Sequence, residues 1–178
     1  MIVKLKDVCT KIGSGATPSG GKGAYVASGI SLIRSQNVLD FSFSYDGLAH
    51  ITESQAKKLD GVTVCEGDVL LNITGDSVAR ACKVNPGSLP ARVNQHVAII
   101  RADENKILSS YILYYLQSIK PELLQLASNG ATRNALTKQM IENLSFDLPS
   151  VEIQSRIVSV LDSIQEKIEK NEQINGNL

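Results

Sequence analysis

The chain has 178 residues, 43% of them hydrophobic, and a formal net charge of zero. This length allows one ordinary domain, or one domain with an extension, and the hydrophobic fraction is sufficient for a folded core. No apolar run approaches the ~18 residues of a membrane span and the N-terminus lacks a signal-like apolar block, so we expect a soluble, cytoplasmic protein.

The N-terminal region contains a glycine-rich stretch. The short amphipathic sequence LKDVCTKI leads into GSGATPSGGKG, which holds five glycines and a proline. This composition predicts a loop. Because it lacks the spacing of the phosphate-binding motifs, a surface loop is favoured over a nucleotide site.

Short apolar runs separated by turn residues follow, and they predict strands. The runs are Ile30–Ser35, Leu48–Ile51, Val62–Val64, Asp68–Thr74, Ala79–Val84 and Val93–Arg101. The turns between them contain DG, EGD, TGD and NPG, and a short helix is predicted near Glu53. This spacing predicts a mostly antiparallel, barrel-like sheet.

After Arg101 the hydrophobic period becomes helical. An apolar stripe predicts an amphipathic helix over Ile107–Ile119, and Pro121 starts a second helical segment, PELLQLAS. The polar loop SNGATRNA, the short helix LTKQMIENL and the strand SFDLP complete this part. The predicted fold class is therefore α+β: a β-rich, mostly antiparallel head with small helices, followed by one long helix.

The long helix is predicted over residues 151–175, and its seam is typical of a coiled coil. The seam residues are Ile157, Leu161, Ile164, Ile168, Asn171, Asn175 and Leu178. Their spacing averages 3.5 residues, and no other helix of this chain is long enough to cover the C-terminal half. We therefore divide the chain into a head, residues 1–149, and a spacer and dimerisation helix, residues 150–178.

Charge is unevenly divided between these two parts. Residues 141–178 carry three lysine or arginine residues against seven acidic ones, a net −4, which leaves +4 on the remainder. A mildly basic head with an acidic tail is the asymmetry expected when only the head contacts a polyanion. The three cysteines share no motif spacing, and we expect them to be buried, reduced thiols.

Signatures of catalysis are missing from the sequence. It has no metalloprotease, hydrolase or Walker motif, no Cys/His zinc pattern and no adenine-methyltransferase tetrad. The triplet Glu104–Lys106 has nuclease-like spacing, but such triplets are common by chance. We expect no catalytic residues, no metal site and no cofactor.

Polar residues in the turns instead have side chains suited to reading bases. Arginine can pair with guanine, asparagine or glutamine with adenine, and aspartate with cytosine. The candidate DNA-binding residues are Arg34, Gln36, Asn37, Thr74, Asp76, Ser77, Arg80, Arg92, Asn94 and Arg133. Lys11, Lys22 and Lys138 are candidates for phosphate contacts. For each base-reading candidate the alternative is a structural role, in which its side chain holds the turn through hydrogen bonds.

The order of these segments carries a resemblance across essentially the whole chain. SGATPSGG, ISLIRSQNV, LLNITGDSVAR, ARVNQHVAIIR, SNGATRNALT and the helix entry LPSVEIQSRIVSVLD resemble the DNA-specificity subunit of type I restriction–modification systems. The helix entry departs from the LPPLxEQ usual in that family, because Ser150 replaces a proline and Ile153 replaces the glutamate before Gln154.

The resemblance implies a non-catalytic subunit that directs adenine methylation by partner subunits. Family members resemble two tandem copies of a recognition domain and helix, with the helices paired antiparallel; this chain holds one copy. It is then either a natural half-length subunit or a piece of a longer one, and self-pairing would supply the second copy. The implied partners are double-stranded DNA, methyltransferase subunits and, where cleavage occurs, a motor-nuclease subunit.

Two other functions compete with this one. The chain could be an oligomerising assembly module whose β-rich head binds protein or carbohydrate. It could also be a self-contained nuclease, which the sequence supports least.

Overall fold

The computed structural model describes residues 1–18, 21–128 and 134–176, with the side chains of 21, 22 and 176 outside the description. The described residues form ten β-strands and five α-helices. The strands are β1 Ile2–Lys4, β2 Cys9–Ser14, β3 Ile30–Ile33, β4 Ala49–Ile51, β5 Thr63–Val64, β6 Val69–Asn72, β7 Ala81–Lys83, β8 Ala91–Val93, β9 Val97–Ala102 and β10 Ser145–Asp147. The helices are α1 Glu53–Lys57, α2 Ser109–Ser118, α3 Lys120–Ser128, α4 Lys138–Glu142 and α5 Val151–Gly176.

The central layer is an antiparallel sheet of strand order β2-β9-β6-β7. Alternate residues of β6 and β9 enter two different cores, as the two-residue period of a strand requires. Val69 and Leu71 pack with helices α2, α3 and α4 on one face. Leu70 and Ile99 pack against the second sheet on the other face. Because both faces are covered, the sequence of β6 is continuously apolar up to Asn72.

The second sheet has the order β4-β3-β8-β5 and contains one parallel pair, β3 with β8. Its inner residues include Ile33 and Val93, which complete the core shared with the central sheet. Its outer residues Leu32 and Ile51 are covered by Ala56 of α1. A small antiparallel pair, β1 with β10, joins the N-terminus to the strand that precedes α5.

The α+β class and the mostly antiparallel pairing predicted from the sequence are confirmed. The expected single barrel-like sheet is replaced by two stacked four-stranded sheets and a two-stranded pair. No helix in the described ranges is both long enough and apolar enough to cross a membrane.

One predicted strand is two strands in the structure. The run Val93–Arg101 is interrupted after Val93, and β9 begins at Val97. The interruption comes from Asn94, whose side-chain oxygen accepts a hydrogen bond from the backbone N–H of His96 at 3.0 Å. This local side-chain bond replaces ladder pairing and forms a turn between two adjacent sheets.

Helix α5 begins on the head and extends beyond it. The amide of Gln154 is fully buried: its oxygen accepts from Leu108 N at 2.9 Å and its nitrogen donates to Lys106 O at 3.0 Å. The Tyr114 hydroxyl donates to Asp162 at 2.7 Å. With 26 residues, α5 is roughly 39 Å long, and its described residues after Gln165 are all exposed.

The cysteines differ in their surroundings. Cys82 is buried and Cys9 half-buried, and burial raises the pKa of each thiol to about 12. Cys65 is exposed, so the prediction of three buried thiols is wrong for this residue. It lies in the turn before β6, outside both cores.

Gly15 permits a close approach between the end of β2 and the second sheet. An added Cβ would lie 1.6 Å from the carbonyl oxygen of Val93, while Gly15 N donates to Asn94 O at 3.1 Å. We expect Gly15→Ala to lower the free energy of unfolding by about 1–3 kcal/mol, because the backbones must separate. Chemical denaturation measures this.

Gly13→Ala is the matched control, since a Cβ at Gly13 meets no atom within 4 Å. Equal stability of the two variants would show that the close approach at Gly15 is not required.

Candidate functional site

A tight turn joins β6 to β7 and forms one wall of a surface cleft. Gly75 and Ala79 both adopt positive φ, at 75° and 68°, and Ala79 N donates to Asn72 O at 2.9 Å. A non-glycine residue in this left-handed region is uncommon and needs the surrounding structure to hold it. The turn therefore presents Asp76, Ser77 and Arg80 from a constrained backbone.

A second turn, residues 34–37, forms the opposite wall. The buried Asn72 amide donates to the carbonyl oxygens of Ser35 at 2.9 Å and Val38 at 3.1 Å, and so attaches this turn to the end of β6. The Gln36 amide donates to Asp46 O at 3.0 Å. Both walls are thus attached to the end of strand β6 at Asn72.

The cleft between these walls has a volume of about 450 Å³ and a polar lining. The lining residues are Ser35, Gln36, Thr74, Gly75, Asp76, Ser77, Arg80 and His96. Within the described part of the chain, the Arg80 guanidinium and the Asp76 carboxylate make no hydrogen bond to another residue. Among the described residues, the cleft is thus lined by a strong donor and a strong acceptor, and the charge of Arg80 also acts on Asp40, whose pKa, despite desolvation by burial, is lowered mainly by its hydrogen bond with Lys120.

A neighbouring cleft of about 430 Å³ shares four of these residues. Thr74, Asp76 and His96 line both clefts, and Asn134 lines only the second. Asn134 is brought there by backbone pairing, because Gly75 N donates to its carbonyl oxygen at 3.2 Å. The residues 74–76 are therefore the common rim of the two clefts.

Four side chains are connected by hydrogen bonds that end at this rim. The Thr17 hydroxyl donates to the Gln95 side-chain oxygen, and the Gln95 amide nitrogen lies 3.1 Å from His96 Nε2. His96 Nδ1 lies 2.6 Å from the Thr74 hydroxyl oxygen. Thr17 and Gln95 come from segments that the turn at Asn94 brings together.

Five of the ten predicted DNA-binding residues line the first cleft: Gln36, Thr74, Asp76, Ser77 and Arg80. The sequence did not single out Ser35 or Gly75. His96, which also lines the cleft, is not among the predicted DNA-binding residues. A signal for its role was the polar triplet Asn94–His96 inside an otherwise apolar run.

Arg34 and Asn37 lie behind the cleft wall. Asn37 is completely buried: its oxygen accepts from Arg34 N at 3.0 Å and its nitrogen donates to Ser44 O at 3.0 Å. The Arg34 guanidinium donates to Gly47 O and lies 5.4 Å from the Tyr25 ring centroid. These contacts favour the structural role for both residues.

Arg92 and Asn94 are also engaged within the protein. The Arg92 side chain is 11% exposed, pairs with Asp60 at 2.6 Å and donates to Ala56 O at 3.1 Å. Asn94 is buried and forms the turn before His96. The structural role is favoured for both, and the predicted residue Arg133 lies outside the described residues.

Two of the predicted phosphate-binding lysines line a common groove. Lys11 and Lys138 lie there with Lys6 and Glu142, and the groove has a volume of about 320 Å³. Lys11 Nζ donates to Gly61 O, and Lys138 lies 3.4 Å from Glu142. The side chain of Lys22 lies outside the description.

The exposed apolar stripe of α5 overlaps only in part with the predicted seam. Ile157, Ile164 and Ile168 are exposed as the seam requires, and Asn171 and Asn175 are exposed beyond them. The sequence did not identify two further members of the exposed stripe, Ile153 and Val160. Leu161 is half-buried and contributes, with Ile157, to an apolar groove against Tyr114 of the same chain.

The nuclease-like triplet has structural contacts. Glu104 accepts a hydrogen bond from Ser109 N at 3.2 Å at the start of α2, and Lys106 pairs with Asp103 at 3.2 Å. The described residues contain no group of three or more histidine, cysteine or acidic side chains placed to hold a metal ion.

Comparison with known proteins supports the resemblance noted in the sequence. The family model described as the type I restriction modification DNA specificity domain matches residues 1–178. The chain is also 27% identical, over 134 residues, to a putative type I restriction enzyme MjaX specificity subunit from Methanocaldococcus jannaschii. That match covers 75% of this chain and 29% of the archaeal protein.

Solved structures with the same fold cover nearly the whole chain. A chain from a structure describing complex assembly and conformational transition of the type I R-M system matches with a TM-score of 0.75 and 25% identity. The HsdS subunit from Thermoanaerobacter tengcongensis matches with a TM-score of 0.72 and 23% identity. Each match covers 98% of this chain, but only 40% and 39% of the respective structures.

Proposed function

Because this chain belongs to the type I restriction modification DNA specificity domain family, we propose that it is a non-catalytic subunit that reads one half of a bipartite DNA target. Partner methyltransferase subunits carry out adenine methylation, and a motor-nuclease subunit adds cleavage where the system restricts DNA. The chain spans less than half the length of the relatives it matches, so activity and partners are part of the proposal.

The polar cleft between residues 34–37 and 74–80 carries this proposal. It combines a guanidinium from Arg80, a carboxylate from Asp76 and hydroxyls from Thr74 and Ser77 on one open surface. Base edges in the major groove present donors and acceptors that such side chains can distinguish. The constrained backbone of the Gly75–Ala79 turn supports specific reading, because preorganised groups lose little entropy on binding.

Residues 1–149 form the DNA-reading head in this proposal, and residues 150–178 form the spacer helix. Two copies would pair through the exposed stripe of α5 and carry their heads to two half-sites. A two-fold dimer imposes its symmetry on the DNA, so the expected target is an interrupted palindrome.

Replacing Arg80 by alanine is expected to weaken binding to the preferred sequence by about 1–3 kcal/mol, which corresponds to roughly 5- to 150-fold. It should also relax the preference at one position of the target, because the lost contact is to a base. Enrichment from a random duplex pool, followed by titration of the enriched duplex, measures both effects.

Lys58→Ala is the control, since it removes an exposed positive charge distant in sequence from both cleft walls. Loss of a phosphate contact would weaken all sequences alike and leave the enriched motif unchanged. If Arg80→Ala leaves both affinity and motif unchanged, Arg80 does not read DNA.

The near-zero net charge bears on how the complex holds DNA. Each phosphate neutralised by the protein contributes to the salt dependence of binding. We expect the chain alone to show a shallow salt dependence and the complex with a methyltransferase a steeper one. Equal slopes of affinity against salt concentration in the two cases would assign the phosphate contacts to this chain. The groove containing Lys6, Lys11 and Lys138 would then be the first site to mutate.

A further inference from the structure

In the structure the Gln95 amide turns its oxygen toward Thr17 and its nitrogen toward His96, and this orientation gives the chain Thr17–Gln95–His96–Thr74 a hydrogen-bond direction. The nitrogen of a glutamine amide carries two hydrogens and can only donate. Since the Gln95 nitrogen lies 3.1 Å from His96 Nε2, that ring nitrogen is the acceptor. The Thr17 hydroxyl hydrogen-bonds the Gln95 oxygen at the other end of the amide; because a hydroxyl can donate or accept, it completes the chain without selecting the amide orientation.

The direction determines which ring nitrogen of His96 carries the proton. A neutral imidazole has one N–H, and the hydrogen bond at one nitrogen selects the tautomer. With Nε2 accepting, the proton is on Nδ1, which then donates to the Thr74 hydroxyl oxygen across 2.6 Å. The hydroxyl hydrogen of Thr74 is not used by His96 and is available to the cleft.

The opposite tautomer would have the opposite effect. With the proton on Nε2, Nδ1 would be an acceptor and the Thr74 hydroxyl would donate to it. Thr74 would then present only lone pairs to the two clefts that it lines. Gln95 therefore decides, through His96, whether the rim of the cleft offers a donor or an acceptor.

We propose that Gln95 and His96 are positioning residues that fix the Thr74 hydroxyl as a hydrogen-bond donor toward an acceptor atom on a DNA base edge. This inference rests on the proposed function, which supplies DNA as the ligand. The acceptors available in the major groove are N7 and O6 of guanine, N7 of adenine and O4 of thymine. One position of the half-site is read by this hydroxyl.

The first test reads the tautomer without DNA. The protein contains only two histidines, His50 and His96, so selective ¹⁵N-histidine labelling gives two pairs of imidazole nitrogen signals, which a His50→Gln variant assigns. At pH 8, where imidazoles in water are neutral, the full chain should show His96 protonated on Nδ1. Gln95→Met, which removes the donor, should shift His96 toward protonation on Nε2. Protonation of wild-type His96 on Nε2 would overturn the inference.

The second test reads the DNA preference of the full chain with a random duplex pool at low ionic strength. Thr74→Val and Gln95→Met should relax the same single position of the enriched motif by about tenfold and leave the other positions unchanged. Thr74→Ser, which keeps the hydroxyl, should restore the preference. Gln125→Met makes the same chemical change at an exposed position of α3 and should have no effect.

The outcomes separate this inference from the function on which it rests. If the wild type, Thr74→Val and Gln95→Met all enrich the same motif, the inference is overturned but the proposal that the protein reads DNA is not. Relaxation at two different positions would also overturn it, because the two residues would then act independently. A pool from which no motif is enriched would overturn the proposed function, and this inference with it.

Discussion

Replacing Asp68 by alanine is expected to lower the free energy of unfolding by about 3–5 kcal/mol. Asp68 is completely buried, and its carboxylate accepts from Arg101 Nε at 2.7 Å, from an Arg101 terminal nitrogen at 2.9 Å and from Cys65 N at 2.7 Å. The hydrogen bonds between Arg101 and Asp68 raise the pKa of Arg101. The variant would leave a half-buried guanidinium and a backbone N–H without their acceptor. Urea denaturation followed by circular dichroism measures the loss.

The position of Asp68 explains why the effect should be large. It lies immediately before β6, and its partner Arg101 lies on β9 beside it in the central sheet. Removing the carboxylate would uncouple the turn at Cys65 from the sheet that carries the cleft. Removing one partner of a buried ion pair destabilises a protein more than replacing both partners with apolar groups.

Two comparisons test this explanation for Asp68. Glu66→Ala removes an exposed carboxylate from the same turn and should change stability by less than about 0.5 kcal/mol. The double variant Asp68→Ala with Arg101→Leu should be less destabilised than the sum of the two single variants, since the unpaired charge is gone. Additive effects of the two single changes would show that the ion pair is not the cause.

The second large effect is expected from charge placed on the exposed stripe of α5. Val160 and Ile164 are 62% and 52% exposed, and they lie on the same face of the helix at a spacing of four. In the proposed dimer both protomers contribute them, so four apolar side chains would lose burial. At ~1.5–3 kcal/mol for each side chain, we expect Val160→Glu with Ile164→Glu to weaken the dimer by at least about a thousandfold. Sedimentation over a range of concentrations measures the dissociation constant.

The control for this variant places the same charges on another face of α5. Ser155 and Ser159 are exposed, also four residues apart, and point away from the stripe. Ser155→Glu with Ser159→Glu should leave the dimer intact. A wild-type chain that is monomeric at micromolar concentration would contradict the homodimer proposal itself, and an unchanged dimer in the stripe variant would assign the interface elsewhere.

The orientation of α5 shows how far sequence periodicity alone can reach. The 3.5-residue spacing identified a long helix with an apolar seam, and the structure has that helix over Val151–Gly176. Periodicity does not say which edge of the seam packs on the protein's own head. In the structure Leu161 faces α2, and Val160 belongs to the exposed stripe. This rotation of the helix is fixed because Gln154 and Asp162 form hydrogen bonds with the head.

The sequence predicted the types of side chain at the candidate site but only some of the residues that supply them. Thr74, Asp76 and Arg80 were identified because they carry side chains suited to reading bases in or close to the polar TGD turn between two apolar runs. Asn37 and Arg92 carry equally suitable side chains, yet they donate to backbone carbonyls within the protein, Asn37 to Ser44 in the following turn and Arg92 to Ala56, 36 positions away. Such partners come from sheet packing, which no local pattern in the sequence records.

By itself the sequence determined the α+β class, the long final helix and the family, because these depend on local hydrophobic period, on turn chemistry and on the order of segments. Tertiary structure decided where the run after Val93 breaks, since Asn94 forms its turn where two sheets meet. It also decided that Thr17, Gln95, His96 and Thr74 act as one connected set. Hydrogen bonds between residues up to 78 positions apart depend on three-dimensional packing, and only the folded chain brings them together.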